Sequence, residues 1–293
     1  MNQAADRTPL ISIIVATYNC AGVLPACLAS IARQTYSARE LIVVDGGSNN
    51  ATLEVIKAHA PAIRHWESAP DRGVYDAWNK ALPRAQGEWI VFLGADDRFH
   101  DDEVLARMAG VLACACPPSR FVYGCLDIVS ADGQVIETVR RPWKELKPQF
   151  LSGTLMVPHA GSFHHRSLFA ERGAFDASFR LAGDYDLLLR ELQTADPVYV
   201  PDQTVLDMGD GGMTALPQNL YRGLSEIARA RAKNGIVAFS PVLARRRALA
   251  LAGLWVFRIF GRQAFNALAD AYRRLGRRKS KWTVAGRDSG PKA

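Results

Sequence analysis

Residues 10–16 (Leu-Ile-Ser-Ile-Ile-Val-Ala) form an almost unbroken apolar run rich in β-branched side chains. Such a run predicts a strand covered on both faces, because a solvated face would show a polar residue at every second position. The pattern then changes period: Leu24, Cys27, Leu28 and Ile31 recur at helical spacing over 23–32, and Pro25 falls in the first turn, where its missing N–H has no partner to lose. The alternation repeats. Residues 41–44 predict a second strand, and the cluster Asp45-Gly46-Gly47-Ser48-Asn49-Asn50 opens a helix to about His59. A third strand is expected near 63–66, a helix over 74–82, a fourth strand over 89–93 and a further helix from near Asp101. Strand and helix in turn require parallel strands with helices on both faces, and such sheets hold ligands at the carboxyl ends of their strands.

The middle of the chain departs from this pattern. Residues 121–127 and 135–139 flank Asp132-Gly133 and read as a hairpin, hence as an antiparallel addition to the sheet. Residues 140–158, rich in Pro and Lys, read as a long active-site loop or flap. A short helix near 167–172, a helix over 184–193 and small strands near Val198 and Val205 follow. Residues 217–275 are helical in composition, broken at Asn234-Gly235 and Pro241. This divides the chain into a body, 1–216, with halves of about 9–112 and 113–216, and an extension, 217–293.

Charge sharpens the division. The net charge of +7 averages two surfaces: residues 217–293 hold 17 of the 36 basic side chains and three of the 29 acids, so a body of −7 carries an extension of +14. An acidic body repels a duplex, which argues against nucleic-acid binding. With 48% apolar residues and mean hydropathy near zero, the chain can bury a full core. The longest apolar run, 248–257, is ten residues, short of the roughly 20 that a bilayer span needs. Residues 1–7 lack the apolar stretch of a cleaved signal, and Cys20, Cys27, Cys114, Cys116 and Cys125 are odd in number with poor zinc spacing. They read as reduced core thiols in a cytoplasmic protein.

Three strand ends carry chemistry. After the first strand comes Thr17-Tyr18-Asn19-Cys20-Ala21-Gly22 in place of the closely spaced glycines of a dinucleotide fold. Its hydroxyls and amide suit a base or ribose, or simply an ordinary polar loop. A carboxylate placed like Asp45 accepts from a ribose hydroxyl or a base imide, and Gly46-Gly47 lets the backbone approach; an Asx turn capping the next helix fits the same residues. Asp96-Asp97 closes the buried strand that begins at Trp89. Two adjacent carboxylates there repel each other unless a cation such as Mg2+ or Mn2+ sits between them and a diphosphate.

Four ordered blocks, 12–19, 40–48, 86–97 and 182–190, resemble those of family 2 glycosyltransferases with the GT-A fold, and 68–80 is similar to members that build bacterial surface polysaccharides. The resemblance spans about 9–215. It implies a Rossmann-like, mostly parallel α/β sheet with an antiparallel addition. It also implies that Thr17, Tyr18, Asn19, Asp45 and Gly46 hold a nucleoside, with Asp71 and Arg72 beside them, and that Asp96, supported by Asp97, ligates the metal. Many members carry a further Asp where Gly94 stands. The implied general base of an inverting transfer is Asp184, with Asp186 better explained as a first-turn acid paired to Arg190. The usual Glu before the base is Gly183 here. His159 is a candidate for the acceptor or donor-sugar pocket, or a core histidine. Gly211-Gly212-Met213-Thr214 resembles a loop that closes over the diphosphate. The implied partners are a nucleotide-diphosphate sugar and a glycan or lipid-linked acceptor.

Phe265, Leu268, Tyr272 and Leu275 share a helical stripe amid Arg262, Arg273, Arg274, Arg277, Arg278, Lys279 and Lys281. With Trp282 and the apolar 249–260 stretch, this suits a helix on an anionic membrane, at the inner face of the plasma membrane, or a helical appendage with a solvated basic face. Two rival functions stand beside this one: a sugar-1-phosphate nucleotidyltransferase, which would need a basic Gly-rich loop where 17–22 has no Lys or Arg, and an inactive nucleotide-sugar-binding scaffold at the membrane.

Overall fold

The computed structural model describes residues 8–130, 132–209 and 217–275, except for the side chains of 217, 218 and 272–275. Four parallel strands form one half of a nine-stranded sheet: β1 (Ile11–Thr17), β2 (Arg39–Asp45), β3 (His65–Ser68) and β4 (Trp89–Gly94), in the order β3-β2-β1-β4. Helices α1 (Leu24–Ala32), α2 (Thr52–His59) and α3 (Val74–Ala81) connect them. Side chains alternate across β1. Ile11, Ile13 and Val15 enter one core with Leu24, Leu28 and Ile56, and Ile14 enters a second core with Tyr75, Trp78 and Phe92. Burial on both faces explains the unbroken apolar run.

The other half is mixed. The two-residue β5 (Arg98–Phe99) precedes α4 (Val104–Ala115), and the hairpin β6 (Phe121–Val129) and β7 (Val135–Val139) forms as expected. Beyond β4 the order continues β8 (Phe163–His165), β6, β9 (Val198–Gly209), β5. β8 pairs antiparallel with β4 and β6, whereas β9 runs parallel to β6. Neither β5 nor β8 is visible in the sequence pattern, being shorter than one alternation cycle of a half-buried strand. The expected small strands near 198 and 205 are the single strand β9.

The reading of 140–158 as a loop is overturned. Residues Trp143–Leu151 form α5, with Trp143, Leu146 and Phe150 buried at helical spacing. Pro148 lies inside the helix and Lys144 four residues before it; both are exposed, so the carbonyl that loses its N–H partner faces water. Inside, Trp143 Nε1 donates to Asp196 Oδ1 (2.7 Å) and Tyr185 Oη to the Phe150 carbonyl (2.7 Å).

Helices α6 (Arg166–Arg172) and α7 (Gly183–Leu192) complete the body. α8 (Pro217–Lys233) and α9 (Pro241–Leu275) follow, parted at Gly235, and α9 kinks at Gly261 (φ 77°). Of the expected stripe on α9, Phe265 is 6% exposed and meets Phe257 across the kink, while Leu268 is half exposed. Tyr272, Leu275 and Trp282 lie outside the described side chains, as do Arg273, Arg274, Arg277, Arg278, Lys279 and Lys281. α8 is stitched to the body. Glu226 Oε2 accepts the backbone N–H groups of Arg180, Leu181 and Ala182 (2.8–3.1 Å), and Arg231 Nε donates to the Leu151 carbonyl. All five cysteines are free; Cys114 is exposed rather than in the core.

Candidate active site

The ends of β2, β1 and β4 stand side by side, since Thr17 is the register partner of Asp45 and Ala16 of Gly94. Asp45 is fully buried. Its carboxylate receives Ser48 Oγ (2.5 Å), Ser68 Oγ (2.7 Å), Ser48 N–H (2.8 Å), Thr17 Oγ1 (3.0 Å) and Gly47 N–H (3.1 Å). Burial opposes ionisation, yet the donors from Ser48, Ser68 and Thr17 outweigh it and hold the carboxyl below its ordinary range. A carboxylate offers about four lone-pair sites. Asp45 is therefore filled by its own loop and by the ends of β1 and β3, and a ribose or base would bind it by displacing a hydroxyl.

Around this anchor, Tyr18 is 64% exposed. Asn19 adopts φ 49° and ties two loops, its N–H donating to Ser48 Oγ (2.8 Å) and its Oδ1 accepting from Asn49 N–H (3.0 Å). Gly46 brings the backbone close to Asp71, since a Cβ there would lie 2.5 Å from Asp71 Oδ2 and the carboxylate would have to shift. Asp71 thus joins the same pocket. Arg72 does not point there: its guanidinium pairs with Asp76 (3.0 Å) and is 75% exposed.

At the end of β4, Gly94 N–H donates to Asp97 Oδ2 (2.8 Å). Asp97 is buried and Asp96 exposed. Burial, then the Asp96 charge, pushes the Asp97 carboxyl up to about 7 against the pull of the Gly94 N–H. A Cβ on Gly94 would come within 3.0 Å of both carboxylates, and Gly209 leaves its own Cβ position open 3.3 Å from Asp96 Oδ2. Two crowded carboxylates, that of Asp97 raised, flanked by two bare glycines fit a divalent cation.

Asp184 sits in the first turn of α7, and Tyr75 Oη donates to its Oδ1 (3.0 Å). Burial pushes this carboxyl up, countered by the Tyr185 N–H and the Tyr75 phenol. Gly183 must lack a side chain, because a Cβ would strike the Tyr75 ring at 2.8 Å. Asp186 is fully buried and engaged by Asn234 Nδ2 (2.9 Å), Lys233 Nζ (3.0 Å) and Arg190 Nη2 (3.3 Å), a structural role. His159 is 7% exposed and stacks on Trp78 (5.0 Å) and Phe92 (5.5 Å); burial lowers its pKa to about 3. The core alternative therefore describes its surroundings. Residues 211–214 lie outside the described set. Two site residues, Tyr75 and Glu226, are not among the sequence candidates: Tyr75 lies within 68–80, and no local signal marks Glu226. Beside residues 178–180, an open cleft of about 560 Å³ is lined by Arg180, Arg222, Arg229, Tyr221 and Glu226, and Arg180 reaches the Arg72 carbonyl.

Residues 12–173 match the description Glycosyl transferase family 2. The chain belongs to that family. This glycosyltransferase is 37% identical over 190 residues to a PGL/p-HBAD biosynthesis glycosyltransferase of Mycobacterium bovis BCG, covering 62% of this chain and 69% of that one. It is 31% identical over 191 residues to the hyaluronan synthase of Pasteurella multocida, covering 63% of this chain and 19% of the synthase. Its fold is that of GT-A glycosyltransferases. S. aureus TarS 1–349 in complex with UDP-GlcNAc superposes with a TM-score of 0.61 at 18% identity, covering 85% of this chain and 73% of TarS. The mannosyltransferase PcManGT of Pyrobaculum calidifontis, in complex with GDP-Man and Mn2+, gives 0.59 at 20%, covering 92% and 76%.

Proposed function

We propose that this enzyme transfers a sugar, with inversion, from a nucleotide-diphosphate sugar to a hydroxyl of a glycan or lipid-linked acceptor in cell-surface polysaccharide synthesis. The observation that carries the proposal is Asp184: a carboxylate with a raised pKa, one oxygen of which is occupied by the Tyr75 hydroxyl. Its other oxygen takes the acceptor proton as the acceptor oxygen bonds to the anomeric carbon. The bond from that carbon to the diphosphate oxygen breaks on the opposite face, and its electrons leave with the nucleotide. One carboxylate suffices for a single displacement. Thr17, Tyr18, Asn19, Asp45, Gly46 and Asp71 form the nucleoside side of the pocket. Arg72 supports it by fixing the start of α3 through Asp76. Asp96 and Asp97 would hold Mg2+ or Mn2+, which neutralises charge on the departing diphosphate. PcManGT bound to GDP-Man with Mn2+ and TarS bound to UDP-GlcNAc support a donor of this class.

Residues 1–216 form the catalytic unit in this reading. Residues 217–293 extend it to an anionic membrane at the cytoplasmic face, with α8 built against the body. Among the described residues no helix is long and apolar enough to cross a membrane. Leu251, Trp255 and Ile259, spaced by four and 39–64% exposed, share one face of α9 near the exposed Arg258. An apolar strip edged by cations suits an interfacial helix, and the three arginines of the cleft suit an acceptor bearing phosphate.

The test is donor-dependent release of nucleoside diphosphate. Asp184→Asn is expected to lower turnover by about 10²–10⁴-fold while leaving donor binding by calorimetry within twofold. Undiminished turnover removes Asp184 from the base role, and binding without any turnover in the unmodified protein favours the scaffold reading.

A further inference from the structure

A second group of potential ligands lies outside the site just described. His100 directly follows β5, Asp127 lies on β6 and Asp207 on β9, so two strands and the residue after a third each contribute one side chain. Asp127 and Asp207 are register partners on the parallel β6–β9 pair, and Asp207 also stands opposite Arg98 at the β5–β9 edge. His100 Nδ1 is 2.8 Å from Asp207 Oδ1 and 4.0 Å from Asp127 Oδ2, and one ligand atom from each residue lies within 4.8 Å of the others. Asp127 is 7% exposed, and its Oδ1 has no hydrogen-bond partner among the described residues. No Lys or Arg among the described residues comes within 4.0 Å of either carboxylate.

Like charges directly opposite on neighbouring strands repel, and a buried carboxylate oxygen without a donor is costly. His100 Nδ1 is directed at Asp207 and stands 4.0 Å from Asp127 Oδ2, which leaves Asp127 Oδ1 without a donor among the described residues. We propose that His100, Asp127 and Asp207 bind a first-row divalent metal ion, of the Zn2+, Co2+ or Mn2+ class, separate from any ion at Asp96 and Asp97. An imidazole with two carboxylates and open positions for water is a donor set for such ions rather than for Ca2+. Bonds of about 2.0–2.2 Å bring all three ligands onto one ion after small rotations, chiefly of the exposed His100. The ion clips β5, β6 and β9 together. The end of β9 carries Gly209, whose missing side chain faces Asp96, so the clip also fixes the floor of the neighbouring site.

The experiment uses the full chain with Asp96→Asn and Asp97→Asn combined, so that metal at that pair does not contribute. In this background, Zn2+ titrated by calorimetry is expected to bind one equivalent, and Co2+ to give visible absorption bands from a nitrogen- and oxygen-ligated ion. Adding His100→Ala, an exposed position whose loss spares the core, should weaken Zn2+ binding at least tenfold, and Asp127→Asn should do the same. Two results overturn the proposal: no Zn2+ binding in the double variant with its fold intact by circular dichroism, or binding that survives both added substitutions. Neither outcome bears on sugar transfer.

Discussion

At the scale of single residues, glycines and acids explain one another. A side chain at Gly94 would crowd both Asp96 and Asp97. Gly183 makes room for the Tyr75 ring that holds Asp184. Tyr75→Phe is expected to cut kcat about tenfold with little change in donor KM, and to move the acidic limb of the pH–rate profile, because Asp184 loses a donor that favours its ionised form. An unmoved limb would make Tyr75 mere packing. Asp97 has its own pH signature. Its carboxyl titrates near 7 in the folded chain against 3.8 ordinarily, so the native state keeps a proton that the unfolded state releases. Metal-free stability therefore falls as pH rises from about 4 to 7, while divalent-ion affinity rises over the same window. Thermal melts from pH 4.5 to 8 should slope downward in the native protein and flatten in Asp97→Asn. The acid pair could be read from the sequence because two adjacent carboxylates ending an apolar strand are conspicuous. The saturation of Asp45 could not, since Ser68 reaches it from 23 residues away and only the β2–β3 pairing shows that.

Among elements, legibility follows burial and length. β1, β2 and β4 are covered on both faces and write themselves as apolar runs, the edge strand β3 is only half-buried, and β5 and β8, with two and three residues, write nothing. α5 was hidden by its composition. Its Pro and Lys residues suggested a loop, while Trp143, Leu146 and Phe150 carried the helical period beneath them. α8 shows the reverse case, a helix easily foreseen whose purpose was not. Glu226 caps the three N–H groups that lead into α7, two residues ahead of Asp184. Glu226→Ala should destabilise the protein by about 1–3 kcal/mol, seen as a fall in the denaturant midpoint, and lower kcat more than KM. Glu226→Gln keeps an acceptor oxygen and should restore most of both. Equal loss in the two variants would show that charge, not capping, is what matters.

For the whole molecule, the decisive quantity is where charge sits. A chain of +7 invites a nucleic-acid reading, but the body is acidic and the surplus lies in residues 217–293. The full chain should therefore cosediment with phosphatidylglycerol-rich vesicles and be released by high salt, since exposed charges are screened within about a Debye length. Trp255→Ala with Ile259→Glu should abolish binding without altering donor turnover in solution. Binding that persists in that double variant would place the contact elsewhere.

The stitching of α8 also sets where this enzyme can be cut and recombined. A chimera joined at residue 216 would separate Glu226 from the backbone it caps, and Lys233 and Asn234 from Asp186, so the foreign helix would have to reproduce contacts never selected with it. A junction between Gly235 and Pro241 leaves those contacts within one parental sequence. If α9 docks the membrane as proposed, grafting it from a relative while keeping Leu243 and Arg246, which touch residues 153–154, is expected to redirect where the enzyme works and leave the chemistry to its original owner.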